Sequence, residues 1–465
     1  MGNASRRWRA AAVLVALCVV ATGCIKPVRA GARCKTAEWG QDNANFVLKC
    51  ERGRWVRKAT VAQVAQLYVA ILSARTSTTP VPPTVKTGST PPTTQYIPPS
   101  PAAGVAVGYG TACAWLANAR IKCWGDNSQG ALAIGNTAAY LIPIQPIFGP
   151  RGTDIAVGTG HVCAIQADRS VVCWGKNNQA QLGNTVQGLP QPVPSNAGGL
   201  YNVASLAAGD GFTCASLTTG YLQCWGNNVE RQLGTASLLD TVVLQTTISG
   251  IGPTSAVSAR KTVAGLRSQC VLMAPPAQVV FCVGDNDRGQ LGRGGAPYNN
   301  ASALAQLGGI TTATDIAAGK EHYCVKLANA TITCWGSNEF GQLGLQLTTT
   351  YSSVATAAGL GGFTNVAEVS ANEVSTCARK TDGTVWCIGS GAEGAIGNGS
   401  WGSTTVPVQV SGINDAVDLS SGGRTSCVVR ASGEVWCWGQ GNLGQLGNNS
   451  TTNSNIPVKV IGFPF

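Results

Sequence analysis

Short apolar runs closed by glycine recur through the last three quarters of the chain, as in "IAVG" (155–158), "LAAG" (206–209) and "IAAG" (316–319). Each is too short for a helix and reads as a buried strand. Behind each run comes a pair of cysteines, then a Gly-Asn loop and usually Gln-Leu-Gly. A proline-led strand closes several units, as in "PVQV" (407–410) and "IPVKV" (456–460). The pairs are Cys113 and Cys123, Cys163 and Cys173, Cys214 and Cys224, Cys270 and Cys282, Cys324 and Cys334, Cys377 and Cys387, Cys427 and Cys437. Their first members are 50, 51, 56, 54, 53 and 50 residues apart. Seven copies at a period near 50 predict a propeller or a solenoid.

The pattern ahead of the repeats is different. Residues 1–23 have the three parts of an export signal: Arg6, Arg7 and Arg9, then an apolar stretch from Ala10 to Thr22 that is short for a membrane span. Two cleavage sites compete. "ATGC" ending at Cys24 resembles a lipobox, in which that cysteine becomes a lipidated N-terminus, and Val28-Arg29-Ala30 suits an ordinary signal peptidase. The lipobox is favoured because it abuts the apolar stretch directly. Residues 24–75 hold Cys34, Cys50 and a helix-like pattern at Val61, Val64, Leu67, Tyr68 and Ile71. So small a segment needs a staple, and Cys34–Cys50 is the natural one. Residues 76–102 are a Pro/Thr-rich linker that cannot form a core and favours extended geometry. The repeats fill 103–465.

Composition agrees with an all-β reading: charged residues are 11% and Gly numbers 59 in 465. The formal charge of +11 is not spread evenly. Residues 1–60 hold 12 Lys/Arg against 3 Asp/Glu, leaving 20 against 18 for the remainder. A nearly neutral main body lacks the footprint of a nucleic-acid binder.

The cysteines raise the question of metal, redox or disulfide chemistry. Zinc sites bring pairs two to four residues apart onto one ion, and a redox pair needs Cys-x-x-Cys. Here the spacing is ten and each pair stands alone in its unit. In a hairpin centred on Asp168, Cys163 and Cys173 face each other, with Cα atoms about 4.5–5.5 Å apart. The fourth pair is 12 apart, and an even insertion keeps it opposed on the same face. Seven disulfides within single units follow, one staple per hairpin.

The units resemble the regulator of chromosome condensation repeat through "CWGDN" (123–127), "CWGKN" (173–177), "CWGNN" (224–228), "CWGSN" (334–338) and the "GQLG" at 289–292, 341–344 and 444–447. The resemblance covers about 103–465 and implies a seven-bladed β-propeller. Nuclear members promote nucleotide exchange on a small GTPase, which an exported chain would not meet. Secreted members bind and inhibit enzymes. The recurrent Trp reads as packing between blades, replaced by Val283 and Ile388 in two units. The loop Asn becomes Gly391 and Gly441, which predicts a left-handed backbone position there. The sequence leaves open whether "IPVKV" completes the last blade or clasps the first. A missing proline-led strand ahead of the first unit favours the clasp.

Catalytic chemistry finds little support. His161 and His322 occupy one repeat position three blades apart and read as structural, "DNDRG" (285–289) lacks the closing Glu of a calcium loop, and no cofactor motif occurs. A propeller hydrolase would need carboxylates converging on the channel, and the scattered Asp and Glu give no repeat-consistent set. What varies is the turn before each cysteine pair. Four residues before, it reads Tyr109, Thr159, Asp210, Leu266, Lys320, Glu373, Gly423; three before, Gly110, Gly160, Gly211, Arg267, Glu321, Val374, Arg424. Diverse side chains on like-placed loops of a rigid scaffold suit recognition, as they also suit unconstrained solvent-facing loops. The expectation is therefore a monomeric, exported, lipid-anchored propeller at the cell envelope that binds a protein. The alternative is a cell-wall glycan module, favoured if Tyr109 and Phe212 line one face.

Overall fold

The computed structural model describes residues 100–465 apart from 185–187, 236–238, 240, 249–250, 253–257, 295–299, 358–359 and 464–465, together with four strand backbones nearer the N-terminus. The chain divides into two units, residues 1–99 and 100–465. In the first, strands Lys26–Pro27, Trp39–Gln41, Phe46–Glu51 and Arg54–Thr60 form one sheet in chain order. The lipidation at Cys24, the Cys34–Cys50 bridge, the helix-like stretch after residue 60 and the linker up to residue 99 lie outside the described residues.

The second unit is a seven-bladed propeller. Every blade is four consecutive strands in antiparallel order, the first being Ala102–Val107, Thr111–Leu116, Ile121–Gly125 and Tyr140–Ile144. The innermost strands are Ala102–Val107, Asp154–Val157, Val203–Ala208, Ala259–Ala264, Ala313–Ala318, Val366–Ala371 and Ala416–Gly422. Each touches the next, and the seventh touches the first.

In every blade the two cysteines are direct partners across the second and third strands. Cys113 faces Cys123, Cys163 faces Cys173, Cys214 faces Cys224 and Cys270 faces Cys282. Likewise Cys324 faces Cys334, Cys377 faces Cys387 and Cys427 faces Cys437. All seven pairs are disulfides, as the hairpin count predicts. Their Cα atoms are 4.0–4.1 Å apart, closer than the 4.5–5.5 Å expected of opposed residues.

The apolar cores lie between blades rather than within them. At the closing seam, Val105, Val107, Ala112, Ala114 and Trp124 of the first blade pack on Val429, Val435, Leu446, Val460 and Phe463 of the last. The recurrent Trp side chains are fully buried, and each donates its indole N–H to the preceding blade's loop. Trp174 reaches the Ala131 carbonyl at 2.7 Å, Trp225 that of Gln181 at 2.9 Å and Trp124 that of Gln445 at 2.9 Å.

Two expectations are corrected. The strand containing "IPVKV", Ser454–Lys459, pairs with Val435–Gly439 and completes the last blade, so no strand is exchanged at the seam. The loop Asn is not a left-handed position either: Gly391 has φ −88°, and neither Gly441 nor any of the five asparagines has a positive φ. The Asn side chain itself matters. Asn127, Asn177, Asn228, Asn286 and Asn338 are buried, and each carboxamide oxygen accepts the backbone N–H five residues on, at 2.8–3.1 Å. At Gly391 and Gly441 a Cβ would collide with the carbonyls of Gly402 and Thr452, so a second stretch of loop fills the place.

The glycine that closes each apolar run has a separate cause. Gly319 and Gly422 sit where one innermost strand meets the next, and a Cβ would strike the carbonyls of Asn372 and Val107. Backbone cannot yield as a flexible side chain can. Gly422→Ala should therefore lose about 3 kcal/mol by chemical denaturation. A change below about 0.5 kcal/mol would show that the seam has slack.

Candidate functional site

Strand direction alternates within a blade, so the turn after the first strand and the loop after the third lie on one side of the ring. That side gathers all seven variable turns around one mouth of the channel. Tyr109, Lys320, Asn372, Glu373 and Gly423, with the glycines before them, line a cavity of about 70 Å³ there. Pockets that hold small molecules are several times larger. The turns are locked together by backbone bonds around the mouth. Asp210 N–H donates to the Leu266 carbonyl (3.0 Å), Leu266 N–H to that of Lys320 (2.8 Å), and Glu373 N–H to that of Gly423 (2.7 Å).

The structure divides the predicted residues into two sets. Of those four before the cysteine, Tyr109, Lys320, Glu373 and Gly423 line the mouth. Glu373 lies between Lys320 (3.1 Å) and Arg424 (3.2 Å), while Asp210 pairs with Lys176 at 3.6 Å. Burial, then the charges of Glu373, Glu321 and Asp210, push the Tyr109 phenol above its ordinary range, so it stays a neutral donor. Thr159 and Leu266 are half-buried. The charged residues three before the cysteine instead meet the preceding blade's loop. Arg267 pairs with Glu230 (3.4 Å), Glu321 with Arg288 (4.0 Å) and Arg424 with Glu393 (3.3 Å). Where that position is glycine, a Cβ would press on the preceding blade's Leu443, Gln129 or Gln179. Much of the variation at this second position is thus complementarity between neighbouring blades.

The histidines belong to the seams as well. His161 Nε2 lies 3.0 Å from Thr213 Oγ1, whose own proton goes to the Gln181 carbonyl at 2.8 Å. Nε2 must therefore carry the imidazole hydrogen, leaving a buried Nδ1 with no partner. His322 repeats this with Thr376 and the Gln342 carbonyl. Burial drives both imidazoles down to about 3, with Lys176 adding to the effect at His161. Phe212 fills the same position in the third blade, fully buried against Gly209, so it cannot share an exposed face with Tyr109. In "DNDRG", Asp285 and Asn286 turn their oxygens to the N–H groups of Asp287 and Leu291.

Two features escaped the sequence reading. Large apolar side chains are exposed on the loops of this same side, among them Leu189 (72%), Leu347 (54%) and Trp401 (55%). Second, the acids do hold a repeat-consistent place. Nine residues before the first cysteine the blades read Gly104, Asp154, Ser205, Lys261, Asp315, Glu368, Asp418, near the start of each innermost strand and so toward the opposite mouth. Aligning that column on the cysteines would have found them. Their local task is clear at two seams. An innermost strand has one edge without a strand partner, and its N–H groups need acceptors. Ser205 Oγ accepts Thr262 N–H (3.1 Å), Asp418 Oδ2 accepts Val105 N–H (2.8 Å), and Ser420 Oγ, two residues on, accepts Val107 N–H (3.0 Å).

Comparison with known proteins agrees with this architecture. The profile of the RCC1-like domain matches residues 120–463. Among solved structures, Prp20p from Saccharomyces cerevisiae superposes with a TM-score of 0.65 at 19% identity, covering 73% of this chain and 85% of its own. Human WBSCR16 gives 0.64 at 19%, covering 73% and 93%. No curated protein matches in sequence. With the profile spanning well over half its length, this chain belongs to the RCC1-like domain family.

Proposed function

We propose that the chain is a protein-binding scaffold, exported and held at the cell envelope by its N-terminal lipid, which engages its partner through the side of the ring that carries the variable turns. One observation carries the reading. That side combines a rigid, hydrogen-bonded mouth and a cavity too small for most ligands with exposed apolar anchors on the surrounding loops. Interfaces draw their energy from a few such anchors, tryptophan foremost. Relatives of this fold bind proteins: Prp20p has binding properties toward Gsp1p and histones, and has been captured with Kap60. Seven disulfides support an oxidising, exported setting. Inhibition of an envelope enzyme is the concrete version that fits such a rigid face. The glycan alternative rested on Tyr109 and Phe212 together, and loses that support with Phe212 buried.

Immobilised full-length protein should capture one envelope protein in stoichiometric amount. Trp401→Ala should weaken that capture roughly 30-fold, as loss of a hot spot of about 2 kcal/mol would. Retention of polysaccharide instead of protein, or capture indifferent to Trp401 and Lys320, would overturn the reading.

A further inference from the structure

The mouth opposite the binding side carries an unbalanced set of charges. Asp315 holds the Lys261 ammonium at 2.6 Å, and Glu368 holds the Arg379 guanidinium at 3.0 Å. Lys326, cross-strand from Asp315, gives its ammonium to the Ala367 carbonyl at 3.0 Å. Among the described residues Asp154 accepts only the N–H of its own neighbour Ile155 (2.8 Å), and Asp418 accepts Val105 N–H across the closing seam. Neither Asp154 nor Asp418 has a cation within ion-pair distance among the described residues. These carboxylates are half-buried, where an unpaired charge is costly.

We propose that this end of the channel is a proton-sensitive ring of acids: protons taken up by Asp154, Glu368 and Asp418 stabilise the folded seven-blade ring. Asp154, Asp315, Glu368 and Asp418 hold the same place on four of the seven innermost strands, so these acids gather at one mouth, while the Asp418 bond to Val105 N–H opposes its own proton uptake. The electrostatics agree in direction. Burial raises the Asp154 carboxyl to about 6, against the pull of the Ile155 N–H and Lys261, with Asp418 pushing the same way as burial. Burial also raises Glu368, with Asp418 and Asp315 adding to it and Arg379 opposing, and raises Asp418 against Val105 N–H, Arg379 and Lys261. A carboxyl that holds its proton more tightly folded than unfolded adds stability as pH falls through its folded value toward its unfolded one. For Asp154 that window runs from about 6 down to 3.8.

The test compares the full chain with the double variant Asp154→Asn, Asp418→Asn by chemical denaturation from about pH 7.5 to 4. The amides keep the acceptor oxygens and cannot be ionised. The buried histidines titrate identically in both proteins, so they cancel in the ratio. The variant-to-wild-type ratio of folding constants should shrink by about a hundredfold between pH 7.5 and 4, a factor of ten for each unit between folded and unfolded values at Asp154 alone. Should the double variant not fold, Asp154→Asn alone reads the same change, since among the described residues its one hydrogen bond is to Ile155 of its own strand. A ratio that stays flat with pH, or grows as pH falls, would overturn the proposal.

Discussion

Replacing Trp124 with alanine should lower the stability of the propeller by about 3–5 kcal/mol, measured by chemical denaturation. The indole is fully buried at the seam between the first and last blades, with its ring centroid 5.9 Å from that of Phe463. Truncation leaves a cavity bounded by two blades that share no strand, and it strips the Gln445 carbonyl of its donor. Trp386 is the matched control. It is half-buried, bonds Thr384 two residues away and lies under Lys380, so its alanine variant should cost about 1 kcal/mol. Equal losses at the two sites would mean that the seam is no more demanding than the surface.

The second large effect is one of acid stability. His161 and His322 are neutral in the folded protein, with a bare Nδ1 and no acceptor for a second proton. The unfolded chain takes protons up near 6.5 and the folded one only near 3. Each histidine therefore contributes stability that is present above 6.5 and lost as pH falls toward 3. At pH 4.5 the loss is about 2.5–3 kcal/mol each, roughly 5 kcal/mol together. The double variant His161→Phe, His322→Phe copies Phe212 of the third blade and cannot be protonated. It should match wild type within about 1–2 kcal/mol at pH 7.5 and exceed it by several at pH 4.5. Parallel stability curves for the two proteins would refute the assignment.

How much of this was legible in the sequence depends on the range of the interaction. Cys163 opposite Cys173 followed from counting along one hairpin, because strand geometry has a strict period of two and needs no knowledge of the rest. The even insertion in the fourth blade passed the same test. Asn177 misled, because tolerance of Gly391 looks the same whether a backbone angle or a side-chain bond is at stake. Only the fold shows a second loop segment occupying the side chain's place. Arg267, Glu321 and Arg424 read as recognition residues because their partners Glu230, Arg288 and Glu393 sit in the preceding unit, a relation that alignment within units cannot reveal. The acids at 154, 315, 368 and 418 were legible in principle, in a column left unaligned.

The closed ring without strand exchange also sets a timetable. Each blade forms from some 50 consecutive residues, a local task that its own disulfide can lock. Closure joins Val105 to Asp418, 313 residues apart, and such a contact is slow to find because loop entropy opposes it until the intervening chain is ordered. The last blade to be synthesised is the one the first is waiting for. Until it arrives, the face of the first blade formed by Val107, Ala112, Ala114 and Trp124 has nothing to cover it. The nascent chain must therefore carry an open apolar face through nearly the whole of its synthesis, and it is most prone to aggregation just before the last blade forms.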